Sequence, residues 1–265
     1  MITKSSPDRY LTLMEKQKIN PNFYTSLPYI LLSGAECFEE NGLIWIEADG
    51  WMIYPPIIGN WNKLNIPLPL KRIWSDFSNL ENKYYGEEKH LQFLDWEYIF
   101  DPLCFQCMEG KRWETYRKNV RKWPRNNPNW EYKEITDMEE CFHLIGYWFE
   151  EKADNLQDAD LMIKFLENEN NVEGIFKKGL YCNGKLVAIN VWDENYKYIN
   201  YRYCFVDHCE RFLDEFVRFQ FYSDPDILSK RKLINDGGTL DNEGLEKFKD
   251  KLNPIRKRKV YSYII

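Results

Sequence analysis

The chain has 265 residues, with 36 Lys and Arg against 42 Asp and Glu for a formal net charge of −6, and 17% of its residues are aromatic. That length buries a full core in one large domain or in two of roughly 130 residues each, and the negative balance argues against a protein coated in nucleic acid. No run reaches the roughly 20 apolar residues of a membrane-spanning helix, since Asn20, Pro21, Asn22 and Pro28 interrupt Ile19–Ala35 and Trp51–Asn62 is too short.

The first residues, MITKSSPDRYLTLMEKQ, lack the apolar centre of a secretory signal. Seven cysteines, at 37, 104, 107, 141, 182, 204 and 209, show no framework spacing and read as reduced thiols. A cytoplasmic location is the expectation. Charge is uneven: Lys111, Arg112, Arg117, Lys118, Arg121, Lys122 and Arg125 form one basic segment and Arg256–Lys259 a second, while Glu150–Glu169 is acidic.

In chain order, residues 8–20 predict a helix with Tyr10, Leu11, Met14 and Lys18 along one side. Tyr29–Leu32 is strand-like, as are Leu43–Ala48 and Trp51–Tyr54, the last two joined by Asp49-Gly50, a hairpin signal. Pro55-Pro56 ends that meander, and Ile66–Leu70 is a stiff extended connection. Helical and short strand segments are expected through Phe93–Tyr98. Lys111–Trp123 reads as a helix with Trp113, Tyr116, Val120 and Trp123 on one face and Pro124 as its stop.

Asn126-Asn127-Pro128-Asn129 is the candidate boundary between halves 1–125 and 126–265. A strand at Trp130–Ile135 follows, then helices at Met138–Ala153 and Asp158–Glu169, with His143 read as a packed side chain. Strands are expected at Phe176–Cys182, Lys185–Trp192 and Tyr196–Phe205, the first pair turned by Asn183-Gly184. A helix over Glu210–Phe221 precedes a strand at Lys232–Asn235. Paired glycines, Gly237-Gly238, must end that strand because they permit positive φ and close backbone approach. Asp241 or Asn242 then caps a helix whose Leu245, Phe248 and Leu252 form its buried stripe, Pro254 ends it, and Arg258–Ile264 is the last strand.

Three stretches, GLYCNGKLVAINVW, FVDHCERFLDEF and INDGGTLDNEGLEKFKDKLNP, resemble the C-terminal domain family of phosphatidylglycerol lysyltransferases. In the first half, IEADGWMIYPPIIG is similar to that family's hairpin and Pro-Pro turn, and LDWEYIFDPLCFQCMEGKRWETYRKNVRKW to its Asp-Tyr-x-Tyr segment and Lys-Arg-Asn helix. The resemblance implies an α+β fold of tandem GNAT-like (acyl-CoA N-acyltransferase) domains, mixed antiparallel and parallel sheets flanked by helices, related in architecture to FemABX aminoacyltransferases. It also implies aminoacyl-tRNA or acyl-CoA as donor.

Candidate site residues follow, each with a plainer alternative. Asn235, Asp236, Gly237 and Gly238 lie at a strand's C-terminal end, where open sheets place ligands, although a strand-to-helix turn with an Asx cap needs the same residues. Lys249 and Lys251 lie on opposite sides of the next helix, and the resemblance links a Lys before this Pro to the donor. Asp207 and Arg211 match the family's Asp-x-x-Arg pair with one extra residue between them; a cap and a surface ion pair would look alike. Arg202 and Tyr203 face opposite sides of their strand, so one of them points to a substrate cleft. Arg117, Lys118, Asn119 and Arg121 are candidates for donor or nucleic-acid binding, or else form an interdomain brace. Cys104-x-x-Cys107 lacks a second ligand pair, so no metal is expected.

Two functions of different class are compatible with these residues. In the first, an activated acyl or aminoacyl group moves to an amine or hydroxyl of a small-molecule or macromolecular acceptor. Asp207 or Asp236 acts as base or amine-orienting group, and Arg202, Arg211 or Lys249 stabilises the oxyanion. In the second, the fold has lost its chemistry and binds tRNA, other nucleic acid or a protein through Lys111–Arg125 and the basic tail, with Trp113, Trp123 and Trp130 as stacking surfaces. Where acetyltransferases carry a glycine-rich phosphate loop, this chain has His208-Cys209-Glu210-Arg211-Phe212-Leu213. A carboxylate there would repel a pyrophosphate, so CoA is expected to bind poorly.

Overall fold

The computed structural model describes residues 2–48, 51–54, 70–74, 91–152, 158–168, 171–207, 210–240 and 242–263. Strand β1 (Thr3–Ser5) leads into helix α1 (Pro7–Lys16), whose N-cap Ser6 accepts the Arg9 N–H and whose Tyr10 and Met14 are buried. Lys18 lies beyond the helix, exposed and at φ +55°, instead of continuing its apolar side. The strand expected at Tyr29–Leu32 is helix α2 (Leu27–Leu32). The Ser26 hydroxyl accepts the Tyr29 N–H at 3.3 Å and Pro28 fits the first helical turn, so local capping overrides the β-type run.

An antiparallel ladder follows in β2 (Glu36–Glu40), β3 (Leu43–Ala48) and β4 (Trp51–Tyr54), with β5 (Leu70–Trp74) parallel to β4. The predicted turn at Asp49-Gly50, the Pro55-Pro56 stop and most of Ile66–Leu70 lie outside the described residues. The mixed segment expected through Tyr98 is instead one long strand, β6 (Leu91–Phe100). Helix α3 (Leu103–Cys107) ends on Met108 at φ +45°. A 3₁₀ turn at Lys111–Trp113 then runs into α4 (Glu114–Val120) and α5 (Lys122–Asn126). Trp113, Tyr116, Val120 and Trp123 are buried together as their spacing predicts. The helix breaks at Arg121 rather than at Pro124, which sits in the first turn of α5 where its missing N–H costs nothing.

Strand β7 (Trp130–Glu134), helices α6 (Met138–Lys152) and α7 (Ala159–Glu167), and strands β8 (Ile175–Cys182), β9 (Lys185–Glu194) and β10 (Tyr198–Val206) appear in the predicted order. Asn183 and Gly184 both have positive φ, 51° and 80°, as the tight hairpin requires. His143 is exposed on the outer face of α6, not packed. Helix α8 (Leu213–Tyr222) starts later than expected, behind Phe212 at φ +69°. The short helix α9 (Pro225–Ser229), strand β11 (Leu233–Asn235), helix α10 (Glu243–Lys251) and strand β12 (Arg256–Tyr263) complete the chain.

All twelve described strands form one mixed sheet in the order β1-β2-β3-β4-β5-β12-β6-β11-β10-β9-β8-β7. The basic tail is therefore an interior strand: β12 lies between β5 and β6, and its Arg258 is 1% exposed. Trp113 and Trp123 fill the core, and Trp130 meets Phe216 edge-on at 5.0 Å, so none of the three is a free stacking surface. No described helix is long and apolar enough to cross a membrane.

Candidate active site

Strands β10 and β11 run parallel and pair only as far as Asn200 and Asn235. Beyond that register β10 continues to Val206, whereas the Asp236–Gly238 turn stays with β6: the Asp236 N–H bonds the Tyr98 carbonyl at 2.9 Å and the Tyr98 N–H the Gly237 carbonyl at 3.0 Å. A cavity of 270 Å³ opens where the two strands part. Tyr201, Arg202, Tyr203 and Cys204 line one arm, Asp236, Gly237 and Gly238 the other, and Arg218 and Lys249 its floor. A register shift between Tyr201 and Tyr203 breaks strict alternation, so Arg202 and Tyr203 both reach the cavity rather than one of them.

The glycines are there for space. Gly237 has φ +60°, and a Cβ on it would meet the Phe23 ring at 3.1 Å; one on Gly238 would meet Asp95 Oδ2 at 2.1 Å. Asp95 needs that approach, because it accepts the Thr239 N–H at 2.6 Å, the Thr239 hydroxyl at 2.8 Å and the Leu240 N–H at 2.8 Å. Asn235 lies behind the turn, where its Oδ1 accepts the Gly237 N–H at 3.0 Å and its Nδ2 donates to Glu97 at 2.7 Å. Glu97 in turn pairs with Arg258 and accepts the Phe23 N–H at 2.7 Å.

Asp236 is the hub of the floor. Its Oδ2 accepts from Arg218 and, at 2.7 Å, from the Tyr222 hydroxyl, while Oδ1 is 3.2 Å from Lys249 Nζ. Lys249 is 3% exposed and also donates to the carbonyls of Asp236 and Gly238, the latter at 2.7 Å. Burial pushes the Lys249 ammonium below its ordinary pKa, with Asp236 pulling it back up. Every hydrogen-bond partner of Nζ is an acceptor, which requires the protonated form.

A second buried pair forms the wall. Arg202 Nε donates to Asp193 at 2.7 Å, and Ser26 bridges them, accepting from Arg202 Nη2 and donating to Asp193, each at 2.8 Å. The Arg202 guanidinium lies over the Phe23 ring at 4.2 Å and the Tyr29 ring at 5.0 Å, and its Nη1 is buried without a hydrogen-bond partner. Cys204 faces the same space, but burial pushes its thiol up to about 12.

The remaining sequence candidates lie elsewhere. Asp207 and Arg211 occupy the turn between β10 and α8, with Asp207 3.7 Å from Lys185 and Arg211 over the Phe212 ring at 4.7 Å, and neither lines the cavity. Arg117 donates to the carbonyls of Met108 and Gly110, as a brace would, and Asn119 to Glu215 at 3.1 Å. Lys118 pairs with Glu114 on the surface and Arg121 is exposed. Lys251, Arg112 and Asn119 share a neighbouring depression of 190 Å³. Among the described residues no group of three or more His, Cys, Asp or Glu side chains is placed to hold a metal ion. Sequence reasoning missed Arg218, whose signal is a charged residue spaced four from Tyr222 on the buried face of α8.

No family model and no curated relative matches the chain. Solved structures do match along its whole length. A conserved protein of unknown function from Bacteroides thetaiotaomicron superposes with TM-score 0.77 at 16% identity, covering 100% of both chains. L-PGS from Bacillus licheniformis gives 0.60 at 13%, covering 98% of this chain and 92% of that one. FemX gives 0.59 at 10%, covering 100% and 97%, and a tandem GNAT protein from the clavulanic acid pathway 0.54 at 10%, covering 99% and 97%. The chain has the tandem GNAT fold. Within that fold, the parting of β10 from β11 opens the 270 Å³ cavity described above.

Proposed function

We propose that the chain is an acyl- or aminoacyltransferase whose reaction takes place where β10 and β11 part. The observation that carries this reading is the aromatic-walled cavity at the strand fork, with a buried guanidinium nitrogen of Arg202 at its wall that has no acceptor. An amine or hydroxyl attacking an activated ester or thioester builds negative charge on the carbonyl oxygen, and a preorganised N–H there lowers the barrier. Arg202 would supply that N–H once the ligand shifts the Phe23 and Tyr29 rings that cover the guanidinium, its orientation fixed by Asp193 and Ser26.

Asp236 has a different part from the base expected of it. Its oxygens already accept from Arg218, Tyr222 and Lys249, so it holds the floor and, through Lys249, the carbonyls of the glycine turn. The Cys204 thiol, at about 12, is not a thiolate near neutral pH, which favours direct transfer over a covalent enzyme intermediate. An aminoacyl-tRNA is favoured over CoA as donor: the first turn of α8 carries Asp214 and Glu215 and no glycine, so a pyrophosphate at that helix start meets two carboxylates. Lys111, Arg112, Arg121 and Lys122 are exposed and available to RNA phosphates.

The test is transfer of a radiolabelled group from aminoacyl-tRNA or acetyl-CoA to a panel of amines. Turnover with aminoacyl-tRNA is expected, and Arg202→Lys, which keeps a cation beside Asp193 but removes the guanidinium fork, should slow it about 100-fold, the size found for loss of one oxyanion donor, with near-ultraviolet circular dichroism checking the fold. Salt-sensitive RNA binding with no transfer from either donor would favour a binding module, and micromolar acetyl-CoA affinity would overturn the choice of donor.

A further inference from the structure

Two cations, Arg218 and Lys249, line the floor of the cavity and share the carboxylate of Asp236. Asp193 is paired with Arg202, and Asp95, behind the glycine turn, accepts from Thr239 and Leu240 while its charge offsets part of that on Lys249. Asp158 lines the rim and is exposed. Arg218 gives Nη1 to Asp236, and the remaining donors of a nearly buried guanidinium are costly to leave without acceptors.

Arg218 is positioned to present its remaining donors outward. Its guanidinium is stacked between the rings of Tyr201 at 4.8 Å and Phe248 at 5.3 Å, so hydrogen bonds can leave only from its edge. One part of that edge, Nη1, is on Asp236. The residue is 8% exposed and lines the cavity, and a planar fork of N–H donors pairs bidentately with a carboxylate. The opposite side is aromatic, with Tyr29, Trp148, Tyr203 and Phe205 along it.

We propose that the molecule acylated in this cavity carries a carboxylate that docks on the free edge of Arg218 and an apolar or aromatic body that lies against Tyr203 and Phe205. The acceptor is thus an amino acid, or a short peptide whose C-terminal residue carries a side-chain amine, and the word acylated rests on the transferase reading above. In the step itself the acceptor nitrogen forms the new C–N bond, the ester C–O bond to the donor breaks, and the amine proton leaves with the departing hydroxyl.

Calorimetry on the wild-type chain tests the binding without turnover, using 3-phenylpropionate, L-phenylalanine, L-phenylalaninamide and diethyl phosphate as probes. The two carboxylates should bind at least about tenfold more tightly than the amide, the worth of one charge-assisted pair. Arg218→Lys should erase most of that preference at unchanged near-ultraviolet circular dichroism. Equal affinity for amide and carboxylate overturns the proposal, as does tighter binding of diethyl phosphate, which would make the anion a phosphodiester. The two readings fail separately. Equal transfer to phenylalanine and to phenethylamine leaves the transferase standing and sinks the carboxylate site, whereas carboxylate preference without any transfer keeps the site and sinks the transferase.

Discussion

Replacing Gly238 by alanine isolates the contact that shapes the cavity's glycine arm. The new Cβ would lie 2.1 Å from Asp95 Oδ2, 2.9 Å from its Cγ and 3.1 Å from the Trp96 carbonyl oxygen. Gly238 is absent from the positive-φ glycines, so the cost comes from space and not from backbone conformation. Asp95 cannot simply swing aside, because its oxygens are held by the Thr239 N–H, the Thr239 hydroxyl and the Leu240 N–H. The Trp96 N–H also donates to Oδ1, at 2.6 Å; a hydrogen bond to a charged acceptor contributes about 1.5–3 kcal/mol, so giving up two of the four destabilises by about 3 kcal/mol after allowing for non-additivity. Urea unfolding followed by Trp fluorescence reads this directly. The decisive measurement is the cycle with Asp95→Ala, which removes the two nearest atoms the new Cβ would meet and leaves the Trp96 carbonyl at 3.1 Å. The double variant should be less destabilised than the sum of the singles by about 2 kcal/mol. Additivity within about 0.5 kcal/mol would refute the reasoning.

Alkali should unfold the chain. Burial holds the hydroxyls of Tyr116, Tyr132, Tyr201 and Tyr222 above their ordinary pKa, so the unfolded chain ionises first as pH rises. Their contribution is complete below about pH 10 and falls above it by about 1.4 kcal/mol per pH unit for each tyrosine. Lys249, lowered by burial, works in the opposite sense just below pH 10.4 but is outnumbered. A urea midpoint that is flat from pH 9 to 11 would contradict this, and Tyr222→Phe should make the fall shallower. Lys249→Met should cost about 3 kcal/mol, because it leaves the buried carbonyls of Asp236 and Gly238 without their donor, although Asp236 keeps Arg218 and Tyr222. Lys247→Met, at an exposed pair with Glu243, serves as its control and should leave the midpoint unchanged.

The strand, double glycine and capped helix at Leu233–Lys251 were legible because each uses a local rule: a β-type run, residues that tolerate close approach, and Asn242 accepting the Leu245 N–H at 3.0 Å. The aromatic face of Lys111–Trp123 was legible from its spacing. Lys249 was harder, because a lysine on an amphipathic helix is ordinarily solvated; its burial depends on two carbonyls that only the folded turn presents. Arg218 was legible only as a charge on a buried helix face, and Ser26 not at all. Each acquires its role from a partner far along the chain, Asp236 for one and Asp193 for the other. The basic tail misled for the same reason: Arg258 looks like a surface cation until Glu97 is seen opposite it.

These long-range pairs explain why the cavity has a defined shape although its two arms are separate strands. Phe23, Tyr24 and Tyr29 come from the first 30 residues, yet they close the cavity over β10. Two buried acids fasten them there. Glu97 on β6 accepts the Phe23 N–H and pairs with Arg258 of β12, which also donates to the Pro21 carbonyl at 3.2 Å. Asp193 on β9 takes the Ser26 hydroxyl and the Arg202 guanidinium. Both clusters are almost fully satisfied, and in a buried network that is the condition under which charge specifies one arrangement instead of destabilising it. Arg202 Nη1 and the Oδ1 of Asn200, whose amide donates to Asp193, are the exceptions. An incomplete donor in a nearly complete network, set beside the fork of β10 and β11, is what a site awaiting an acceptor atom would contain.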